Sequence, residues 1–142
     1  MQQKIKFITA TEEHCKKLAF LNKCLIDEGG SYNTMSIQQL ENRMMEFISS
    51  NNYIVIIFDV DNTQIGYTLV NKIQTPVFIR HFFIMKEFRR KGYGSSAFNK
   101  LVDYLKVDKI DLSVLSRNEI GYEFWTSCGF APYETFMHYR KI

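Results

Sequence analysis

Proline is almost missing from this chain: two in 142 residues, Pro76 and Pro132. Neither interrupts a stretch of helical or strand periodicity, and no Gly/Pro/Ser-rich linker divides the sequence, so residues 1–142 read as one continuous domain. Cysteine is scarce and odd in number. Cys15, Cys24 and Cys128 share neither a C-x-x-C spacing nor a Cys/His ligand pattern, which argues against a disulfide framework or a zinc site. They are expected as small core residues, with no metal. No run of about 18 apolar residues occurs, and the opening MQQKIKFITA lacks the apolar length of a signal peptide. The expectation is a cytoplasmic protein with no membrane partner. Charge of one sign is not in marked excess either: 18 Lys and Arg against 15 Asp and Glu leave a formal +3. That is too mild to imply a nucleic-acid partner.

Hydrophobic and aromatic residues, by contrast, are plentiful at 46% and 15% of the chain, enough for a proper core. KIKFI (4–8) alternates as a half-buried strand does. Thr11 is placed to cap a helix whose apolar positions Cys15, Leu18, Ala19, Leu21, Leu25 and Ile26 recur at helical spacing, and Gly29 and Gly30 stop it. Ser36 and Gln39 have capping-box spacing before a second amphipathic helix running to about residue 49. Three strands are then expected at 53–59, 64–72 and 77–85, and their short links make them antiparallel neighbours. Beyond residue 91 the pattern becomes helix, strand (109–115), helix, strand (135–141). A helical crossover between strands implies a parallel pair, so the fold class is mixed α/β, with a central antiparallel and parallel sheet flanked by helices.

The chemistry concentrates in IMKEFRRKGYGSSAFNKLVDYL, residues 84–105. Gly92 and Gly94 keep side chains away from the first N–H groups of a helix, where orphan donors and the helix dipole favour an anion. Arg89, Arg90 and Lys91 add formal charge beside them, which suits a pyrophosphate better than a lone carboxylate. A solvated basic loop is the plain alternative. A P-loop is excluded because no Lys-Ser or Lys-Thr follows the glycines. The dinucleotide fingerprint G-x-G-x-x-A is literally present at Gly92, Gly94 and Ala97, but KEFRRK separates it from its strand, and too little chain follows for a doubly wound sheet.

A third pattern, [QR]-x-x-G-x-[GA], fits Arg89, Arg90, Lys91, Gly92, Tyr93 and Gly94 and resembles the acetyl-CoA loop of the Gcn5-related N-acetyltransferase (GNAT) superfamily. A second signature agrees with it. LSVLSRNEIGYEFWTSCGF is similar to that family's later strand, asparagine, small residue, aromatic pair and Gly-Phe, here Asn118, Gly121, Phe124, Trp125, Gly129 and Phe130. The order of elements matches the superfamily over nearly the whole chain.

The resemblance implies an N-acetyltransferase moving an acetyl group directly from acetyl-CoA to a primary amine of a small-molecule or peptide acceptor. A catalytically lapsed acyl-CoA-binding module of the same fold is the alternative. It also implies that the backbone of Phe82, Phe83 and Ile84 holds the pantetheine arm, with a bulge freeing the Ile84 N–H for the thioester carbonyl. Arg89, Arg90, Lys91, Gly92, Tyr93, Gly94 and Ser95 would cradle the pyrophosphate. Asn118 and Trp125 would flank the cofactor, Asn118 serving also or instead as a helix cap. Two positions depart from the family. Its usual acid, a tyrosine, is replaced by Trp125, and the glutamate of some members by Ser113. Tyr122 as acid, His81 as proton relay and Glu28 are the substitute catalytic candidates, each with packing or solvation as its plainer reading. Asp27 and Glu28, against the dipole at a helix end, would attract a cationic amine, and Arg80 is placed on the acceptor side.

Overall fold

The computed structural model describes residues 4–141. Its elements run β1 (Lys6–Thr9), α1 (Cys15–Gly29), α2 (Ile37–Ser49), β2 (Tyr53–Val60), β3 (Thr63–Asn71), β4 (Val77–Ile84), α3 (Tyr93–Leu105), β5 (Ile110–Leu112) and α4 (Glu119–Ser127). The five strands form one sheet in the order β1-β2-β3-β4-β5. β1 to β4 pair antiparallel and β4 with β5 parallel, as the sequence led us to expect.

Local chemistry explains most boundaries. A single 3-10 turn, Glu12–His14, feeds α1; the Thr11 side chain, expected as a cap, makes no cap hydrogen bond, and Thr11 N–H instead donates to His14 Nδ1 at 2.9 Å. Gly30 ends α1 in the left-handed region, at φ 74°. The Ser36/Gln39 box forms in full: Gln39 N–H donates to Ser36 Oγ at 3.2 Å, and Ser36 N–H to Gln39 Oε1 at 2.8 Å. Asp61 and Asn62, at φ 52° and 67°, make the two-residue hairpin between β2 and β3. Positive φ at both positions matches the twist of the flanking strands.

Both faces of the sheet are covered, so β2 and β3 read as nearly continuous apolar runs. On one face Val55, Ile57, Tyr67, Leu69 and Phe83 pack with Leu18, Leu21, Met44 and Phe47 of α1 and α2. Ile56, Phe58, Ile65, Ile79 and Ile84 pack on the other with Ala97, Phe98 and Leu101 of α3, and with Trp125 of α4. Cys15 is buried, Cys24 and Cys128 are partly buried, and none is paired. No helix among the described residues is long and apolar enough to cross a membrane.

Two expectations are corrected. The strand expected at 109–115 closes after Leu112, and the segment 135–141 forms no strand. Alternation alone does not make a strand, which needs a hydrogen-bonded edge to join. β5 is three residues long and offers little edge, so Phe136, Met137 and Tyr139 stay exposed.

Candidate functional site

The site begins where the sheet comes apart. β4 and β5 pair only from Val77↔Ile110 to Ile79↔Leu112, after which the strands diverge. Among the described residues, the backbone of β4 from Arg80 to Ile84 therefore has a β3 neighbour on one side and none on the other. Which groups face the gap follows from the phase of the ladder. Met85 N–H donates to Ile65 O at 2.7 Å, so Phe83 and His81, two and four residues earlier, also turn their peptide groups to β3. Phe82 and Ile84 face the gap. The Ile84 carbonyl accepts from Arg89 Nε at 2.8 Å, which leaves the Phe82 N–H and C=O and the Ile84 N–H. Phe83, expected beside them as a backbone partner, spends its backbone on β3.

The bulge expected near Ile84 lies at Arg80 instead: Leu69 faces His81 and Val70 faces Ile79, with Arg80 extra. A bulge sends two successive side chains to one face. Ile79 and Phe82 pack on the α3 side, whereas Arg80 and His81 both lie against Phe47 of α2. The Arg80 guanidinium is 5.1 Å from the Phe47 ring centroid, and the His81 ring 6.4 Å.

Below the gap, the chain leaves Ile84, makes a short turn (Lys86–Phe88) and enters α3 through Gly92 at φ 84°. Among the described residues no side chain caps this helix, and the N–H groups of Tyr93, Gly94 and Ser95, at its first turn, have no intrahelical partners. A Cβ on Gly94 would stand 2.9 Å from Phe124 Cε1, so α3 and α4 meet as closely as they do only because that position is bare. Arg90, exposed and at φ 62°, belongs to the turn with Lys91. Arg89 is engaged elsewhere. Its guanidinium pairs with Glu28 at 2.5 Å and lies 5.2 Å from the Phe83 ring.

A cleft of about 310 Å³ occupies the gap. Its lining includes Asn22 and Arg43 from the first two helices, Ile79–Phe82 of β4, Leu112–Leu115, Asn118 and Trp125. Asn118 Oδ1 accepts from Gly121 N–H at 2.9 Å and so caps α4 while standing at the cleft wall. A Cβ at Gly121 would sit 2.5 Å from Asn118 Nδ2, which explains the small residue there. Trp125 closes the wall edge-on to Phe82, with centroids 5.0 Å apart. Tyr122 does not share this cleft; half exposed, it lines a neighbouring hollow with Val114, Leu115, Glu119 and Glu123. Asp27 and Glu28 are also outside it, the former paired with Lys23 at 3.2 Å and the latter with Arg89.

His81 sits at the cleft floor with Nδ1 3.0 Å from the Tyr67 hydroxyl. Burial, then the positive charges of Arg43 and Arg80, push its pKa down to about 3. Burial raises the pKa of the Tyr67 phenol, so the hydroxyl keeps its proton and donates to Nδ1. The imidazole is thus neutral, with its own proton assigned to Nε2 by this network. Sequence reasoning missed Asn22, Arg43 and Tyr67. Asn22 and Arg43, 21 residues apart, meet only because α1 and α2 pack together, with Arg43 Nη2 donating to Asn22 Oδ1 at 3.0 Å. The one available signal was polar residues on otherwise apolar helix faces.

Comparison with known proteins agrees with this geometry. No curated protein matches the chain in sequence. Solved structures match over nearly the full length. A possible acetyltransferase from Clostridium difficile 630 superposes with a TM-score of 0.77 at 14% identity, covering 99% of both chains. The aminoglycoside N-acetyltransferase AAC(6')-Iy in complex with CoA gives 0.76 at 16%, covering 99% of this chain and 97% of its own. The PaiA N-acetyltransferase from Thermoplasma acidophilum in complex with coenzyme A gives 0.77 at 18%, covering 96% and 94%. At such identities these likenesses speak for the fold. The acetyltransferase (GNAT) family model matches residues 24–130, a span that holds the parted strands, the glycine turn and the Asn118 cap, and the chain belongs to that family.

Proposed function

We propose that this protein transfers the acetyl group of acetyl-CoA to a primary amine. The observation that carries the reading is the parted β4/β5 edge, where the Phe82 N–H and C=O and the Ile84 N–H have no strand partner, leading directly to the uncapped start of α3. The residues present suit the cosubstrate. Gly92 takes a left-handed φ, and the first N–H groups of α3 emerge beside Arg90 and Lys91, where a pyrophosphate would lie. The edge of Phe82 and Ile84 would hold the pantetheine amides, with Asn118 and Trp125 at its flank. Arg89 we assign to positioning: it ties the Ile84 carbonyl and Glu28 together rather than meeting phosphate.

Bound acetyl-CoA supplies an activated acyl group on a sulfur that leaves readily as thiolate, its pKa being about 8.5 in a free thiol. The protein's part is to place and to polarise. Either the Phe82 or the Ile84 N–H lies on the edge where charge would develop on the acyl oxygen, and a fixed backbone donor costs no reorganisation there. His81, held neutral with a pKa near 3, is too weak a base to strip an alkylammonium of pKa about 10. The cleft acts on the amine in another way. Burial, the main cause of the low His81 pKa, equally disfavours a charged amine in the cleft, so the neutral nucleophile is the species admitted. The proton shed by the attacking nitrogen is taken up by the departing thiolate, so no side-chain acid is required, and Tyr122 outside the cleft is consistent with that.

The second reading, an acyl-CoA-binding module without turnover, is favoured by Trp125 in place of an acid and by the weak basicity of His81. Calorimetric titration with acetyl-CoA, with NADH and ATP as controls, followed by amine-dependent thiol release, separates the two. Binding without release for any amine sinks the transferase; no acetyl-CoA binding by the folded protein sinks both.

A further inference from the structure

The floor of the cleft holds two guanidinium groups and no carboxylate. Among the described residues, side-chain ion pairs join His14 to Glu13, Lys23 to Asp27 and Arg89 to Glu28, and none includes Arg43 or Arg80. The two arginines share one aromatic neighbour, lying 5.7 and 5.1 Å from the Phe47 ring centroid, and both line the cleft. Burial first, and then the charge of Arg80, disfavours the protonated Arg43 guanidinium. Arg43 is partly withdrawn from water without a carboxylate partner, beside the exposed Arg80, so an occupant of opposite charge gains what the protein itself does not supply.

Polar groups agree with the charge. Arg43 Nε is buried with no hydrogen-bond partner among the described residues. Asn22, 1% exposed, gives its carbonyl to Arg43 Nη2, and its Nδ2, beside the Tyr67 hydroxyl, meets no acceptor in bonding geometry. Both orphans are donors, and His81 Nε2–H is a third donor on the same floor. A site with surplus donors and positive charge lacks one thing, an anionic acceptor of hydrogen bonds. The planar fork of arginine matches a carboxylate in particular. The bulge is what brings Arg80 here, by turning it to the face that Arg43 already occupies.

We infer that the acetyl acceptor is an amino acid, its carboxylate bound between Arg43 and Arg80 and its amine directed to the Phe82/Ile84 edge. The inference rests on the transferase reading and narrows it. It reverses the expectation of an acidic, cation-attracting pocket, since Asp27 and Glu28 are both committed to ion pairs outside the cleft. The remainder of the lining, with Leu25, Ile26, Phe82, Leu112 and Trp125, suits an apolar side chain.

The test compares each of the twenty amino acids with its carboxamide, reading thiol release from acetyl-CoA, in the wild type and in Arg80→Ala. 2-Aminoethyl phosphate is added as a phosphate-bearing amine. Arg80 is exposed, so its truncation leaves the fold intact. The expected result is at least one amino acid preferred over its amide by about ten- to hundredfold in kcat/KM, carried mostly by KM and lost in Arg80→Ala, with acetyl-CoA affinity unchanged. Acetylation of amides or of 2-aminoethyl phosphate as readily as of the acids overturns the inference and leaves the transferase standing. If acetyl-CoA binds but no amine is acetylated, the transferase reading has failed, and calorimetry decides the acceptor site alone. N-acetyl amino acids binding more tightly than their amides, and losing that margin in Arg80→Ala, support it; equal binding refutes it.

Discussion

Gly66→Ala tests whether the β3/β4 pairing sets the geometry of the cofactor edge. Gly66 pairs with Ile84, and an added Cβ would fall 2.0 Å from the Phe83 carbonyl oxygen and 3.0 Å from Ile84 Cα. Backbone atoms cannot rotate aside as a side chain can. The two strands must therefore part by about 1 Å for the contact to reach van der Waals distance. Overpacking of this kind costs about 1–3 kcal/mol, and the gain from restricting a glycine offsets about 0.5–1 of it. A net loss of about 1–2 kcal/mol corresponds to about 2–8 °C in Tm for a chain of this length. The displaced groups are the ones proposed to hold pantetheine, so acetyl-CoA affinity falls along with stability. Thermal melts and calorimetry read the two effects. Gly29→Ala, where a Cβ would meet nothing within 4 Å, is the control and leaves Tm unchanged or slightly raised. A Gly66→Ala protein with wild-type Tm and wild-type acetyl-CoA affinity would refute the reasoning.

Other perturbations follow from the same contacts. Asn118→Ala removes the bond from Gly121 N–H and costs about 1 kcal/mol of stability by loss of the α4 cap; a Tm equal to wild type would mean that α4 is held by packing alone. His81 has a folded pKa of about 3, below its unfolded value, so the unfolded state takes up the extra proton. The stability it contributes is full above about pH 6.5 and is lost as pH falls toward 3, on the order of 3 kcal/mol between pH 7 and pH 4. His81→Gln flattens that part of the denaturation profile, and an unchanged profile would show that the imidazole is not held neutral. Glu28→Gln weakens the pull on Arg89 and raises KM for acetyl-CoA by a few fold through the Ile84 carbonyl; an unchanged KM would show that the ion pair is only a surface contact.

What the sequence disclosed was whatever local chemistry decides. The Ser36/Gln39 box, the short link between the strands expected at 53–59 and 64–72, and the glycines at the start of α3 each act within a few residues, and their signals are visible in order along the chain. The site's character was hidden because it comes from pairings across the sheet. Nothing near Arg80 announces a bulge, since the extra residue exists only relative to β3, and that bulge turns Arg80 and His81 to one face. His81 read as a proton relay with packing or solvation as the plainer alternative, and its weak basicity comes from burial first and then from two arginines, one from α2. Glu28 and Asp27 read as an acidic lure for an amine until Arg89 and Lys23 were found beside them. The final strand failed for a related reason: 135–141 has the alternation, but β5 ends too soon to pair with it.

The most direct measurement is a calorimetric titration of the wild type and of Gly92→Asp with acetyl-CoA. At φ 84° an aspartate carries a strain of about 1 kcal/mol and puts negative charge at the start of α3, where the pyrophosphate is proposed to sit. The account predicts acetyl-CoA binding by the wild type in preference to NADH and ATP, and no binding by a Gly92→Asp protein that remains folded. Equal acetyl-CoA affinity in the two proteins would contradict it.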